Sequence, residues 1–271
     1  MATHARFDGK VIIVTGASTG FGRGIAVALA REGARVVVAD ITEDAAPGNY
    51  DDAPELATAA LIMRDGGEAA FSRCDVSRRD EVDSAVATAV ERFGRLDGFV
   101  NNAGIYRSGP FEELPVDALD ACWDVIVRGT WHGSQAAIRR FLAQGGGGAI
   151  VNIVSTAGLR GHAGQSPYNA AKHAQAGLTR ALAVEYASRG IRVNGVCPTY
   201  AKSAMSRAGA ENRDFDATIA STIPMNRWGE IADVVAGALF LLSPEAHFFS
   251  GVLLPADGGE TAGASPVAVA G

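Results

Sequence analysis

Three residues able to handle a proton stand close together in the chain: Ser155, Tyr168 and Lys172, the last two enclosing the stretch Tyr-Asn-Ala-Ala-Lys. On a helix, residues at i and i+4 share a face, so the ammonium of Lys172 would sit beside the phenol of Tyr168. A free tyrosine ionises near ~10, and a neighbouring cation favours the phenolate. The spacing therefore predicts a phenol whose pKa falls toward the range in which it trades protons at cellular pH. Ser155 would hydrogen-bond the oxygen being protonated. The chemistry this trio implies is acid/base work on a single oxygen.

A second constellation lies near the start. Thr15-Gly16-Ala17-Ser18-Thr19-Gly20-Phe21-Gly22 follows a β-branched run, Val11 to Thr15, and opens an apolar-periodic segment from Phe21 to Arg31. Backbone without Cβ lets a pyrophosphate approach closely, and a helix N-terminus offers unpaired N–H groups and the positive dipole end to phosphate. Gly16, Ser18, Thr19, Gly20, Phe21 and Gly22 are therefore candidate nucleotide-binding residues. Asp40 ends the next apolar run, where a carboxylate accepts hydrogen bonds from an adenosine ribose and repels a 2'-phosphate. No lysine or arginine lies between Asp40 and Pro54, and Thr19 stands where a basic residue could otherwise hold that phosphate. NAD is expected in preference to NADP.

These residues need a scaffold. Runs at Val11 to Thr15, Arg35 to Ala39, Ala69 to Cys74, Gly98 to Val100, Ala149 to Val154, Ile191 to Val196 and Val252 to Leu254 read as strands. Helical segments are expected at Phe21 to Arg31, Pro54 to Arg64, Glu81 to Phe93, Val116 to Ala143, Tyr168 to Ser188 and Ile231 to Leu242. Strands that are apolar throughout and alternate with helices imply a parallel sheet covered on both faces. The expected class is α/β, a single doubly wound parallel sheet of about seven strands with helices on both faces. Residues 1–259 read as one domain and 260–271 as a small-residue tail with little to pack. Asp44 to Asp52 reads as a solvated loop, and the four glycines from Gly145 to Gly148 as a flexible connection.

Composition narrows the partners. The chain has 271 residues, 48% of them hydrophobic, and a formal net charge of −6, with no basic run longer than a pair. Nucleic acid and anionic membrane surfaces are unsuitable partners for that charge pattern, leaving small molecules. No apolar stretch approaches the ~20 residues that span a bilayer, and the first ten residues lack a signal-peptide core. A cytoplasmic protein is expected. Cys74, Cys122 and Cys197 are too widely spaced for a disulfide framework or a zinc site, so no metal is expected.

With these residues assembled, the chain resembles the short-chain dehydrogenase/reductase family from about Lys10 to Gly259. Thr15, Gly16, Gly20 and Gly22 match its Thr-Gly-x-x-x-Gly-x-Gly loop, and Ser155, Tyr168 and Lys172 its catalytic trio. Asp75-Val76 is similar to its adenine-contacting pair, and Asn101-Asn102-Ala103-Gly104 to the segment that steadies the sheet beside the cofactor. Pro255-Ala256-Asp257-Gly258-Gly259 resembles its terminal strand and turn. The resemblance implies a Rossmann fold and hydride transfer between NAD and a secondary alcohol or ketone. It makes Tyr168 the general acid/base and Ser155 the group orienting the substrate oxygen. Lys172 would lower the tyrosine pKa and bind the nicotinamide ribose. It adds Asn102, Ala103, Gly104, Pro198, Ala201 and Ser203 as cofactor-binding positions and implies a homotetramer paired through the two long helices. Trp123, Trp131 and Phe141 are candidates for that contact or for the core.

The chain also departs from the family. An asparagine is usual in a helical segment like Val-Asn-x-x-Gly-Thr-Trp, where it holds a water linking the lysine to solvent. Here the segment is Val125-Ile126-Val127-Arg128-Gly129-Thr130-Trp131. An isoleucine cannot hydrogen-bond a water, so the relay is expected to run differently or work poorly. The alternative function is therefore an NAD-binding protein of this fold with weak or no catalysis. A second departure is Thr199 where the family generally has glycine, which predicts a loop of different course; Ser203 replaces a threonine four residues further on.

By family geometry the substrate pocket draws on Tyr106, Arg107, Thr156, Leu159, Arg160, His162, Ser166, Pro167, Tyr200 and a lid from Ala204 to Pro224. Tyr106, Thr156, His162 and Tyr200 are its candidate substrate contacts. Met205, Ile219, Ile223 and Met225 suit an apolar substrate, whereas Arg107, Arg160 and Arg207 read more simply as surface arginines than as carboxylate ligands.

Overall fold

The computed structural model describes residues 5–44, 53–207 and 211–263. The elements are β1 (Val11–Thr15), α1 (Gly20–Arg31), β2 (Arg35–Asp40), α2 (Thr58–Arg64), β3 (Glu68–Arg73), α3 (Arg79–Phe93) and β4 (Gly98–Asn101). Then come α4 (Val116–Cys122), a π-helical segment (Trp123–Arg128), α5 (Gly129–Ala143), β5 (Gly148–Ile153), α6 (Ser166–Tyr186) and β6 (Ile191–Pro198). The helices α7 (Arg213–Thr222) and α8 (Ile231–Leu242) precede β7 (Leu253–Ala256). Seven strands form one sheet in the order β3-β2-β1-β4-β5-β6-β7, and every pairing is parallel. The order reverses between β1 and β4, the point at which the loops after the strands diverge and leave a crevice.

Alternation along the strands divides the core. Ile12 and Val14 face one layer with Ile25 and Leu29 of α1 and Leu239 of α8, while Val11 and Ile13 face the other with Ala85 of α3 and Phe141 of α5. Both layers are dry, and each fully buried Val, Leu, Ile or Phe contributes about 1.5–3 kcal/mol. Helices therefore cover both faces, as the uniformly apolar strands require. Phe141 lies wholly in this core, whereas Trp123 and Trp131 are 40% and 54% exposed. No helix among the described residues is long and apolar enough to cross a membrane.

Most boundaries shift by a residue or two, and three differences bear on the architecture. The helix expected from Pro54 begins at Thr58, because the fully buried Thr58 hydroxyl donates to the carbonyl of Ala17 at 2.8 Å and anchors the chain there. The long helix expected over Val116 to Ala143 is continuous in direction but widens into a π-helical turn at Trp123–Arg128. The last strand runs over Leu253–Ala256, shifted beyond the expected Val252 to Leu254, in register with β6 through Gly195 to Pro198. The expected loop from Asp44 to Asp52 and the tail from 260 fall largely outside the described residues, at 45–52 and 264–271.

Candidate active site

A cavity of about 670 Å³ opens above the carboxyl ends of β1, β4 and β5. It joins the two constellations. Gly16, Thr19, Gly20 and Phe21 line one stretch with Asp40 at its end, and Asp75 and Val76 lie alongside. Asn102, Ala103 and Gly104 form the middle, and Ser155, Tyr168 and Lys172 the far wall. Pro198, Ala201 and Ser203 close it from β6 onward, and Tyr106, Thr156, His162 and Tyr200 border the far end.

Two expected cofactor residues do not reach the cavity. Gly22 sits beneath the loop, where an added Cβ would lie 2.2 Å from the Gly16 carbonyl oxygen and 2.5 Å from Nδ2 of Asn102. Its role is close packing. Ser18 is buried, its hydroxyl donating to Thr42 O at 2.6 Å and its N–H to Asp40 Oδ2 at 2.9 Å. It positions the carboxylate, and the N–H of Ile41 holds the other oxygen, Oδ1, at 2.7 Å. Each oxygen keeps spare lone pairs for ribose hydroxyls.

The glycine loop fits a pyrophosphate. Gly16 adopts φ +62°, and a Cβ there would stand 2.8 Å from Ala103 Cα, so only glycine allows the loop to close against β4. The Thr19 side chain caps no N–H of α1 and no acid occupies its first turn, leaving the helix end electropositive. Asn102 ties the loop down: its Nδ2 donates to Thr15 O at 2.9 Å and to Gly16 O at 3.0 Å. Asn101 points the other way, donating to Ser134 Oγ at 3.1 Å and to Asn152 Oδ1 at 2.8 Å. Sequence reading missed Arg23, whose buried guanidinium donates to Ala53 O, Leu56 O and Thr58 Oγ1 and braces α1 against the start of α2. An arginine on the apolar face of a helix was its only signal.

At the far wall, Ser155 lies two residues beyond β5 and caps the turn that follows, its Oγ accepting from Ala157 N at 3.1 Å. Its hydroxyl donates to Pro198 O at 3.4 Å. The expected fall in the Tyr168 pKa does not occur. Burial pushes the phenol up to about 12, only partly opposed by the neighbouring Ser155 hydroxyl. The cation is desolvated as well: burial pulls Lys172 down to about 7. Its Nζ lies 5.6 Å from the tyrosine ring centroid and donates to the carbonyl of Ile153 at 2.7 Å. Tyr106 meets Tyr168 edge to face at 5.3 Å.

Ile126 lies in the π-helical turn, fully buried with Cys122 and Ala171, and Ile105, Val127 and Tyr168 pack on this cluster. The surroundings are apolar, as the side chain predicts. Thr199 does not alter the loop through a positive φ, since Ala53 and Asn226 alone among the described non-glycine residues adopt one.

The substrate end carries two polar pairs, Thr156 Oγ1 with His162 Nε2 at 3.2 Å and Gln165 Nε2 donating to the Tyr200 hydroxyl at 2.5 Å. Burial lowers the His162 pKa, favouring a neutral ring. Gln165 and Trp228, which meets Tyr200 edge to face at 5.8 Å, were missed by sequence reading. Gln165 precedes α6 and Trp228 lies beyond the expected lid, so neither had a motif to mark it. Arg107, Leu159, Arg160, Ser166 and Pro167 do not line the cavity. Arg160 pairs with Glu260, Arg207 with Glu211, and Arg107 donates to the Tyr106 carbonyl. Of the lid residues, Met205 lines the cavity, Ile219 and Ile223 pack against Trp228, and Met225 is exposed.

Comparison with known proteins agrees with this architecture. A family model described as enoyl-(acyl carrier protein) reductase matches residues 16–261. A solved short-chain type dehydrogenase/reductase from Mycobacterium marinum superposes with TM-score 0.88 at 32% identity, covering 96% of this chain and 98% of its own. The chain belongs to the short-chain dehydrogenase/reductase family. Levodione reductase from Leifsonia aquatica is 34% identical over 95% of this chain and 96% of its own length. A gluconate 5-dehydrogenase from Burkholderia cenocepacia, solved in complex with NADP and tartrate, gives TM-score 0.87 at 30% identity, covering 96% and 98% of the two chains. This short-chain dehydrogenase/reductase is an oxidoreductase whose fold carries a nicotinamide cofactor.

Proposed function

We propose that the protein is an NAD-dependent dehydrogenase that interconverts a secondary alcohol and its ketone, with Tyr168 as general acid/base. One observation carries this reading: Ser155, Tyr168 and Lys172 face the same cavity whose other end is walled by Asp40 and the glycine loop. When bound, the nicotinamide supplies or accepts the hydride. The chain's own residues do the rest. Ser155 orients the substrate oxygen, Tyr168 gives or takes the proton at that oxygen, and Lys172 would hold the nicotinamide ribose.

A phenol pushed up to about 12 stays protonated at neutral pH and is set to donate, the form that ketone reduction needs. Oxidation needs the phenolate and accelerates as pH rises. The names of levodione reductase and gluconate 5-dehydrogenase are consistent with an alcohol or ketone substrate. The Burkholderia structure holds NADP, so the case for NAD here rests on Asp40 and Thr19. A carboxylate fixed by two N–H groups at the ribose end repels a 2'-phosphate. Ile126 supports a second reading, a cofactor-binding protein with feeble catalysis, because its own side chain offers no hydrogen bond to a relay water.

A panel of secondary alcohols and ketones with NAD and NADH, followed at the reduced-nicotinamide absorbance with Tyr168→Phe as blank, separates the two. Turnover in the wild type alone supports the dehydrogenase. Cofactor binding with no absorbance change on any substrate favours the second reading.

A further inference from the structure

Lys172 Nζ has a second partner. It donates to Gln175 Oε1 at 3.0 Å, and Gln175 Nε2 in turn donates to Thr130 Oγ1 at 2.8 Å. An ammonium offers only donors, so the amide oxygen must face it and the amide nitrogen must face away. Lys172, Gln175 and Thr130 are 3%, 1% and 3% exposed. A buried amide without partners costs about 1–3 kcal/mol or more, yet here both of its ends are satisfied. Gln175 lies on the same helix, three residues beyond the lysine, whereas Thr130 belongs to α5, one turn beyond Ile126. The amide thus joins the lysine to the helix whose side chain at 126 offers no hydrogen bond.

We infer that Gln175 is the positioning residue for Lys172: its side-chain oxygen fixes the amine in the cavity wall and favours its charged form. This rests on reading Lys172 as the cation that serves Tyr168. An ammonium has three N–H donors, and the acceptors Ile153 O and Gln175 Oε1 hold two of them. The third is left for the phenol or a ribose hydroxyl. The titratable groups acting on this site are Tyr168 on the same helix, Cys122 from α4 and Cys197 from β6. Cys197 and Cys122 favour the ammonium electrostatically, and the oxygens of Ile153 and Gln175 accept its hydrogen bonds. A buried amine in such a setting is sensitive to each acceptor it has.

The chain has only three lysines, Lys10, Lys172 and Lys202, so each side-chain carbon can be followed by NMR in the full protein labelled with [13Cε]lysine. Lys172→Met identifies the resonance. Gln175→Met removes the acceptor at nearly constant volume and should lower the Lys172 pKa by about one unit. Gln175→Glu keeps an acceptor, adds charge and should raise it. Should Gln175→Met not fold, the upward shift in Gln175→Glu carries the test. In turnover assays the alkaline limb of the pH–rate profile should move with the lysine, toward acid in the first variant and toward alkali in the second. An unshifted Lys172 titration in the folded variants overturns the inference. Shifts in the expected directions uphold it even if the wild type turns over no alcohol or ketone, an outcome that would sink only the catalytic reading.

Discussion

At the Asp40 end of the cavity the wall is mostly backbone. Gly16 and Gly22 allow strand, loop and helix to approach within the space of a missing Cβ, and Asn102, Thr15 and Ser18 hold that arrangement through main-chain hydrogen bonds. At the Tyr168 end the wall is made of side chains: a half-buried phenol with a buried amine and amide, next to Ile126. The first end depends on fit and the second on electrostatics in a dry environment. Damage to the first should appear as lost stability and cofactor binding, and damage to the second as lost turnover and altered pH dependence.

The largest effect expected is at the electrostatic end. Tyr168→Phe should lower turnover by about 10²- to 10⁴-fold while NAD affinity, measured by fluorescence titration, changes little. Substantial residual turnover would mean that another group supplies the proton. At the backbone end, Gly22→Ala places a Cβ 2.2 Å from the Gly16 carbonyl oxygen and should destabilise the fold by about 3 kcal/mol in urea unfolding. Gly146→Ala, with nothing within 4 Å, is the control and should be close to neutral. Equal effects of the two would remove the case for close packing in the loop.

Asp40→Ala should weaken NAD by about tenfold, or 1.4 kcal/mol, and shift preference toward NADP. A wild type that already prefers NADP would refute the ribose argument. Another effect is a slope rather than a step. Lys172 has a pKa of about 7 in the folded chain against 10.5 for the free side chain, so between those values the unfolded chain binds the extra proton. Stability should therefore rise with pH across that window by up to about 1.4 kcal/mol per unit, and stay flat with respect to this group below pH 7. Urea midpoints for wild type and Lys172→Met should diverge in slope there. Parallel curves would show that the lysine is not desolvated.

Much of the scaffold was legible because its signals are local. Uniformly apolar runs such as Val11 to Thr15 marked buried parallel strands, and Ile231–Leu242 begins and ends where its periodicity does. The glycine loop was legible because missing side chains at fixed spacing have few structural uses. Less was legible where distant segments meet. The start of α2 was set by a hydrogen bond from Thr58 to Ala17, and the π-helical turn around Ile126 interrupts a stretch whose pattern reads as plain helix. Gln165, Gln175 and Trp228 carry no motif, and each meets a residue distant in the chain: Tyr200 for Gln165 and Trp228, Thr130 for Gln175.

The sequence by itself determined that Tyr168 and Lys172 share a helix face, that a glycine-rich turn precedes the first helix, and that a carboxylate ends the second strand. Each follows from helical or strand period and from the backbone freedom of glycine, which are properties of neighbouring residues. Only the tertiary structure decided what the pair's charges do. Packing of α4, α5 and β6 around α6 buries the amine and much of the phenol, and desolvation raises the phenol and lowers the amine. Burial is a property of the whole assembled core, so no spacing along the chain could express it.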